Sequence, residues 1–284
     1  MLAGCSSTPP PAVELPPILQ QAARDMRAAE RSAGQGDWAA ALARWQAAAD
    51  GYRLLNQLAQ LATTLHNIGQ AQQRLGHIAQ ATEALHRAAE LNLLLNRKTE
   101  WWRNQIGLLQ IEEDRSTHFA ELLPRFPELN DASLAGHFLN ELGLWQEQQN
   151  VREAQTTFLQ AEEQFRLAQD VRGLAAALAN QARLQERQGH YESAAELWSR
   201  SLAAFEAAGD PLGVTHALAG QGRSLAVSGA DPPVAKELLS RAAANYRALQ
   251  AHQHYTNTVE FLRRQGWTEI PQTDTPHSTL RTRH

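Results

Sequence analysis

One helical face, written out five times, limits what this chain can become. Tyr191, Trp198 and Phe205 recur every seven residues, and Ala194 and Ser201 each follow one of the large residues by three, so large and small side chains share one stripe of a helix. The same column returns as Trp38, Trp45 and Tyr52 with Ala41 and Ala48. It returns again as Ile78, Leu85 and Asn92 with Ala81 and Ala88, and as Val151, Phe158 and Phe165 with Ala154 and Ala161. A fifth copy ends in Leu239 and Tyr246, with Ala235 and Ala242. A helix carrying such a face cannot bury it within one hairpin, so each copy needs a stacked neighbour.

The spacing supplies the neighbours. Trp38 to Ile78 and Val151 to Tyr191 are each 40 residues, whereas Ile78 to Val151 is 73, close to two shorter steps, so one copy in between has degenerated. A fixed period of this kind is the signature of a solenoid, which gains core repeat by repeat, and length then says little about domain count. Each copy pairs with a preceding helix. Ala175 to Gln188 and Tyr191 to Ala208 read as two helices hinged at Gln188-Gly189-His190, and Gly34-Gln35-Gly36 and Gly76 make similar breaks.

On these residues the chain resembles the tetratricopeptide repeat (TPR) family. The resemblance is carried by Leu65-x2-Ile68-Gly69, Leu75-Gly76-His77-Ile78, Ala81-x3-Leu85-x2-Ala88 and the turns Gly36-Asp37-Trp38 and Gly189-His190-Tyr191, and it covers residues 18–266. It implies an all-α, right-handed superhelical solenoid of helix hairpins that binds protein or peptide clients. Two departures stand out: the period exceeds the usual ~34 residues, resembling regulator-type and kinesin-light-chain-type members, and the proline that often ends a repeat is missing.

Residues 98–130 are the degenerate copy. Pro124 and Pro127 are incompatible with a regular second helix. Trp101 and Trp102 adjoin on a predicted helix, where neighbours stand about 100° apart, so one ring is expected to face a partner, a ligand or the next repeat. The preferred reading is repeat drift with aromatics filling an irregular core; the alternative is a binding insert. Residues 251–265 read as a helix capping the last repeat, and 267–284 as a tail.

The N-terminal residues 1–17 carry a separate signal. Met1-Leu2-Ala3-Gly4-Cys5 resembles the lipobox of bacterial lipoproteins, in which a cysteine is acylated after a leader is removed. Cys5 is the sole cysteine, and Ser6-Ser7-Thr8-Pro9-Pro10-Pro11 suits an extended tether. Only Leu2, Ala3 and Gly4 lie between Met1 and Cys5, so a leader with its apolar region would have to lie upstream. The resemblance implies a lipid anchor at the bacterial cell envelope. Ser6 after Cys5 resembles the outer-membrane type, facing the periplasm. The alternatives are a cytoplasmic regulator or sensor whose N-terminus carries an incidental cysteine, and a structural component of an envelope secretion or pilus assembly.

Composition narrows the chemistry. Lys and Arg number 26 against 30 Asp and Glu, a net charge of −4 that gives no broad footprint for nucleic acid. Eleven histidines show no His-Glu-x-x-His spacing, and His252 and His254 point to different sides of a helix, so no metal is expected. Phosphate loops and nucleophile elbows are missing, and Gly220-Gln221-Gly222 sits inside a helical pattern. Neither cofactor, small-molecule substrate nor enzymatic activity is expected. Acidic residues on these helices read as a solvated face.

What remains is surface. The resemblance places the first helix of each pair along a concave groove, where the face opposite the core presents His66, Gln70 and Arg74, then Arg183 and Arg187, then Arg223. The last three form a candidate basic strip for a carboxylate or an acidic peptide, since guanidinium pairs bidentately with carboxylate. Family members that clamp a C-terminal carboxylate use Lys and Asn where this chain has His66 and Gln70.

Overall fold

The computed structural model describes residues 15–267; the Cys5 motif, most of the tether and almost all of the tail lie outside them. The described residues form helices throughout, in two compact units divided between Arg115 and Ser116.

The first unit holds α1 (Pro17–Gly34), α2 (Trp38–Leu54), α3 (Leu58–Arg74), α4 (Ile78–Leu94) and α5 (Lys98–Leu109). The second opens with α6 (Ser116–Leu122) and a 3-10 segment, Leu123–Glu128. It continues through α7 (Ala132–Gln146), α8 (Val151–Leu167), α9 (Val171–Arg187), α10 (Tyr191–Ala207), α11 (Pro211–Ser228), α12 (Pro232–Ala248) and α13 (His252–Arg264). Within each unit consecutive helices pack as antiparallel hairpins, which is the expected helical-repeat architecture.

The repeated column lies on α2, α4, α8, α10 and α12, the second helix of each pair. Its small members are fully buried in every copy, from Ala41 and Ala48 through Ser201 to Ala242, and so are its central large residues Leu85, Phe158 and Leu239. Trp45 and Trp198 are buried as expected. The shared stripe predicts that Trp38 and Tyr191 are core as well, and this is corrected: both are only half-buried. Each is the first residue of its helix, at the turn, where the stack covers one side of the ring.

Glycines on the first helices receive the large residues. A Cβ on Gly69 would stand 2.7 Å from Leu85, one on Gly143 2.6 Å from Phe158, and one on Gly220 2.3 Å from Trp198. Phe165 is held between Gly136 of its own hairpin and Gly173 of the next. The rings seat directly on helix backbone, so the hairpins pack closely.

Most links between helices reuse one turn. After α1, the Gly36 amide donates to the Ala33 carbonyl and the Asp37 amide reaches back to Ser32, a Schellman motif whose last residue is also the N-cap of α2. The turn needs a left-handed residue, and Gly36 (φ 81°) provides it, but Asn56, Asn96, Gln169 and Gln250 fill the same role elsewhere at φ 53–56°. Glutamine has a Cβ that disfavours this region. Gln169→Gly should therefore stabilise the α8–α9 link by about 0.5–1 kcal/mol, read as a raised thermal midpoint.

The degenerate stretch falls on both sides of the division. Trp101 and Trp102 are both buried, and their rings meet edge to face at 5.2 Å. This agrees with the preferred reading of aromatics filling an irregular core: α5 packs against both α3 and α4, so adjacent directions around its axis are covered and neither ring is left for a partner or ligand. The proline-bearing half forms α6 and the 3-10 segment, from which Phe119 and Phe126 pack on Phe138 of α7 with centroids 5.8 and 5.0 Å away. Among the described residues no helix is long and apolar enough to cross a membrane.

Candidate functional site

In the first unit, the groove residues named from the sequence have different fates. His66 is buried. Asn92 donates to Asn104 at 2.8 Å, which turns the Asn104 amide nitrogen toward His66 Nδ1 at 2.9 Å and leaves the ring proton on Nε2. Burial and the nearby Arg103 charge lower its pKa to about 4, so the ring is neutral near pH 7. Arg74 places its guanidinium over the Trp38 ring, 5.4 Å from the centroid, and so covers the exposed side of that ring. Gln70 is exposed.

The second unit gathers the basic residues. Arg183 and Arg223 each lie thirteen residues after an N-cap aspartate, Asp170 and Asp210, so they occupy one register on successive first helices. Arg264 repeats that register on α13, thirteen after its N-cap Ala251. Arg183 is exposed and donates to Asn180 of its own helix at 2.6 Å, and Asn180 in turn donates to Asn140 of α7 at 2.7 Å. Arg187 is differently engaged, in an ion pair with Glu147 at 2.7 Å. The structure thus separates it from the other two: it ties the C-terminal ends of α7 and α9 together.

His216 stands beside the strip. Its ring centroid is 4.8 Å from that of His254 and 5.6 Å from that of Tyr246, and its buried Nε2 has no hydrogen-bond partner. Burial lowers its pKa, and the charges of His254, Arg223 and Arg183 act in the same direction, opposed by the Asp210 carboxylate. Both arginines therefore reach one ring with their field. Tyr246, buried beneath, has its hydroxyl pKa pushed up to about 12 by burial. Next to this cluster is a recess of about 310 Å³ lined by Arg223, Tyr246, His254, Asn257 and Arg264, with Glu260 3.8 Å from Arg264.

Chemically, this face offers guanidinium and imidazole donors around one recess, with a single carboxylate on its wall. Sequence reasoning missed His216, Tyr246, His254 and Arg264. Arg264 could have been found from the register it shares with Arg223. Tyr246 and His254 could not, because only packing of α12 and α13 against α11 brings them to His216.

Two acidic residues read as solvated prove to be joints. Glu162 is buried on α8 and accepts from Gln181, Arg166 and Arg200, linking α8 to α9 and α10. Glu186 accepts from Trp198 Nε1 at 2.9 Å and Ser224 at 2.7 Å, linking α9 to α10 and α11. An expected solvated face here supplies one buried acceptor, Glu162, and one half-buried one, Glu186, since the next hairpin covers part of it.

Among solved structures, the chain is similar to a Rap protein complexed with competence and sporulation factor, at 14% identity and a TM-score of 0.66 over 89% of this chain and 76% of that one. It is also similar to the apo form of the quorum sensor NprR from B. thuringiensis, at 12% identity and a TM-score of 0.57 over 88% and 77%. At these identities the likeness is one of fold. No family model matches the sequence, and no curated protein matches it.

Proposed function

We propose that this protein is a non-enzymatic adaptor that holds an acidic segment of a partner protein against the Arg183 and Arg223 face of its second unit, and that Cys5 anchors it by lipid to the bacterial cell envelope. The observation that carries the binding half is the shared register of Arg183 and Arg223 around His216, whose buried Nε2 is unpaired. A carboxylate arriving there meets two guanidinium groups, and charge-assisted hydrogen bonds of this kind are about twice as strong as neutral ones. The fold supports the same reading, because the Rap protein that it resembles is found in complex with competence and sporulation factor. The anchor half rests on the lipobox-like residues 1–5 and the Ser/Pro-rich run after them.

Binding is tested with a short fluorescein-labelled Glu-rich peptide. Arg183→Glu with Arg223→Glu should weaken it at least about tenfold, some 1.4 kcal/mol, at low salt with an unchanged circular dichroism spectrum. Arg187→Gln, which removes the pair with Glu147 without adding a negative charge beside it, should do less. Equal affinity of wild type and the double variant would return the strip to solvated surface.

A second reading is favoured by the two fold neighbours, one of them a quorum sensor: a cytosolic sensor that uses the same face. Cell fractionation separates the two. An anchored protein sediments with membranes, is released by detergent, and is lost from them in Cys5→Ser; recovery in the cytosol with a free Cys5 thiol selects the sensor.

A further inference from the structure

The leucines of the first unit are unevenly placed. Leu54 and Leu94 are each 72% exposed and Leu15 and Leu93 each 57%, and Leu55 and Leu95 are exposed beside them. Leu54 and Leu55 end α2, Leu93 to Leu95 end α4, and Leu15 precedes α1. Antiparallel packing brings these ends to one edge. Gly51 near the end of α2 lies against Ala22 and Ile18 at the start of α1, and Arg97 at the head of α5 donates to the Ala59 carbonyl at the head of α3, 2.8 Å away.

The equivalent turns of the second unit are built otherwise. Counting back from each N-cap, Leu94 and Leu95 correspond to Ala207 and Ala208 and Leu55 to Ala168, while Leu54 corresponds to the exposed Leu167; Leu249 repeats the Leu55 place before Ala251, and the N-caps Gln57 and Arg97 correspond to Asp170 and Asp210. The repeat geometry therefore does not ask for leucine at the turn after α4, nor for a basic N-cap, although single leucines also occur at such turns of the second unit. What sets the first unit apart is concentration: exposed leucines at both of its turns and at Leu15 share one edge, with Arg97 and Lys98 on its border and Asp50 neutralised by Arg53 at 2.7 Å.

We propose that this edge rests on a lipid surface. The chain leaves the described residues at Leu15, which belongs to the edge, and Cys5 lies ten residues further on. Ten residue steps separate Cys5 from Leu15, and a chain of that length reaches no further than about 35 Å, which keeps the edge within reach of a bilayer holding Cys5. Exposed leucines with a basic border match an interfacial apolar and anionic-headgroup surface, the second signal that makes lipid anchoring durable. The inference rests on the Cys5 anchor proposed above.

Because Cys5 is the sole cysteine, the full chain can be coupled through it to a maleimide-headgroup lipid in phosphatidylethanolamine/phosphatidylglycerol vesicles, whether or not the cell acylates it. Hydrogen exchange of residues 54–58 and 94–98 should slow about fivefold relative to the free protein capped at Cys5, reporting occlusion of the turns. Leu54→Asp with Leu94→Asp should abolish the slowing, Leu54→Ser with Leu94→Ser should reduce it, and Leu167→Asp in the second unit should leave it intact. Equal exchange on and off vesicles overturns the proposal, as does slowing in the vesicle-free protein at doubled mass, which would assign the edge to a second copy. Failure of the anchor itself is read separately, by fractionation.

Discussion

Trp198→Ala should lower the stability of the second unit by about 3–5 kcal/mol, seen as a lower urea midpoint. Three losses combine. Trp198 is 4% exposed and fills a slot among Ala175, Ala182, Ala194 and Ala217, none of which can expand into the vacated volume. Its ring also seats on the Gly220 backbone, so α10 and α11 lose one of their two close approaches, the other being Phe205 on Gly213. Third, its Nε1 donates to Glu186, which would keep only Ser224 as partner in a half-buried position. Trp45 provides the contrast. It occupies the same place in the first unit, but its Nε1 has no partner, because Ala33 stands where α9 has Glu186. Trp45→Ala should therefore cost less than Trp198→Ala by the hydrogen-bond contribution. An unchanged midpoint for Trp198→Ala would remove the claim that the column holds the hairpins together.

Gly173→Val should destabilise by about 1–3 kcal/mol, although valine is no worse a helix former than glycine. Its Cβ would fall 2.3 Å from Phe165 Cδ1 and Cε1, and the ring has nowhere to retreat because Gly136 lies 2.7 Å away in the same terms. The opposing helix-propensity gain is a few tenths of a kcal/mol, so the clash decides the sign. The test is a double-mutant cycle with Phe165→Ala. That substitution alone should cost about 3–5 kcal/mol, and the double variant should be more stable than the sum of the singles by about 1–2 kcal/mol, since valine then occupies part of the cavity. Additivity of the two changes would show that the Gly173 and Phe165 positions are not coupled.

Both predictions use residues of different legibility. Trp198, Phe165 and their alanine companions were readable, because a seven-residue spacing on a helix can only mean one face. Gly173, Gly213 and Gly220 were not, since a glycine in a helical run looks like a weak position until a ring is found above it. The candidate site divides similarly. Arg183 and Arg223 follow from repeat spacing, but that spacing also selected Arg187, which pairs with Glu147, and His66, which Asn104 holds in a buried chain.

By itself, then, the sequence determined what repeats: an all-α chain of hairpins, the buried column, the break near Pro124 and Pro127, and the register of the arginines. These are local properties, set by side-chain periodicity and backbone chemistry along one helix. Only tertiary structure decided what each exposed-looking position meets. His216 reaches Tyr246 and His254 across helices, Glu162 becomes a buried acceptor and Glu186 a half-buried one under the next hairpin, and the leucines of three separate helix ends collect on one edge. Such contacts depend on how neighbouring hairpins stack, and helical periodicity distinguishes the faces of one helix without saying which of them the next hairpin will cover.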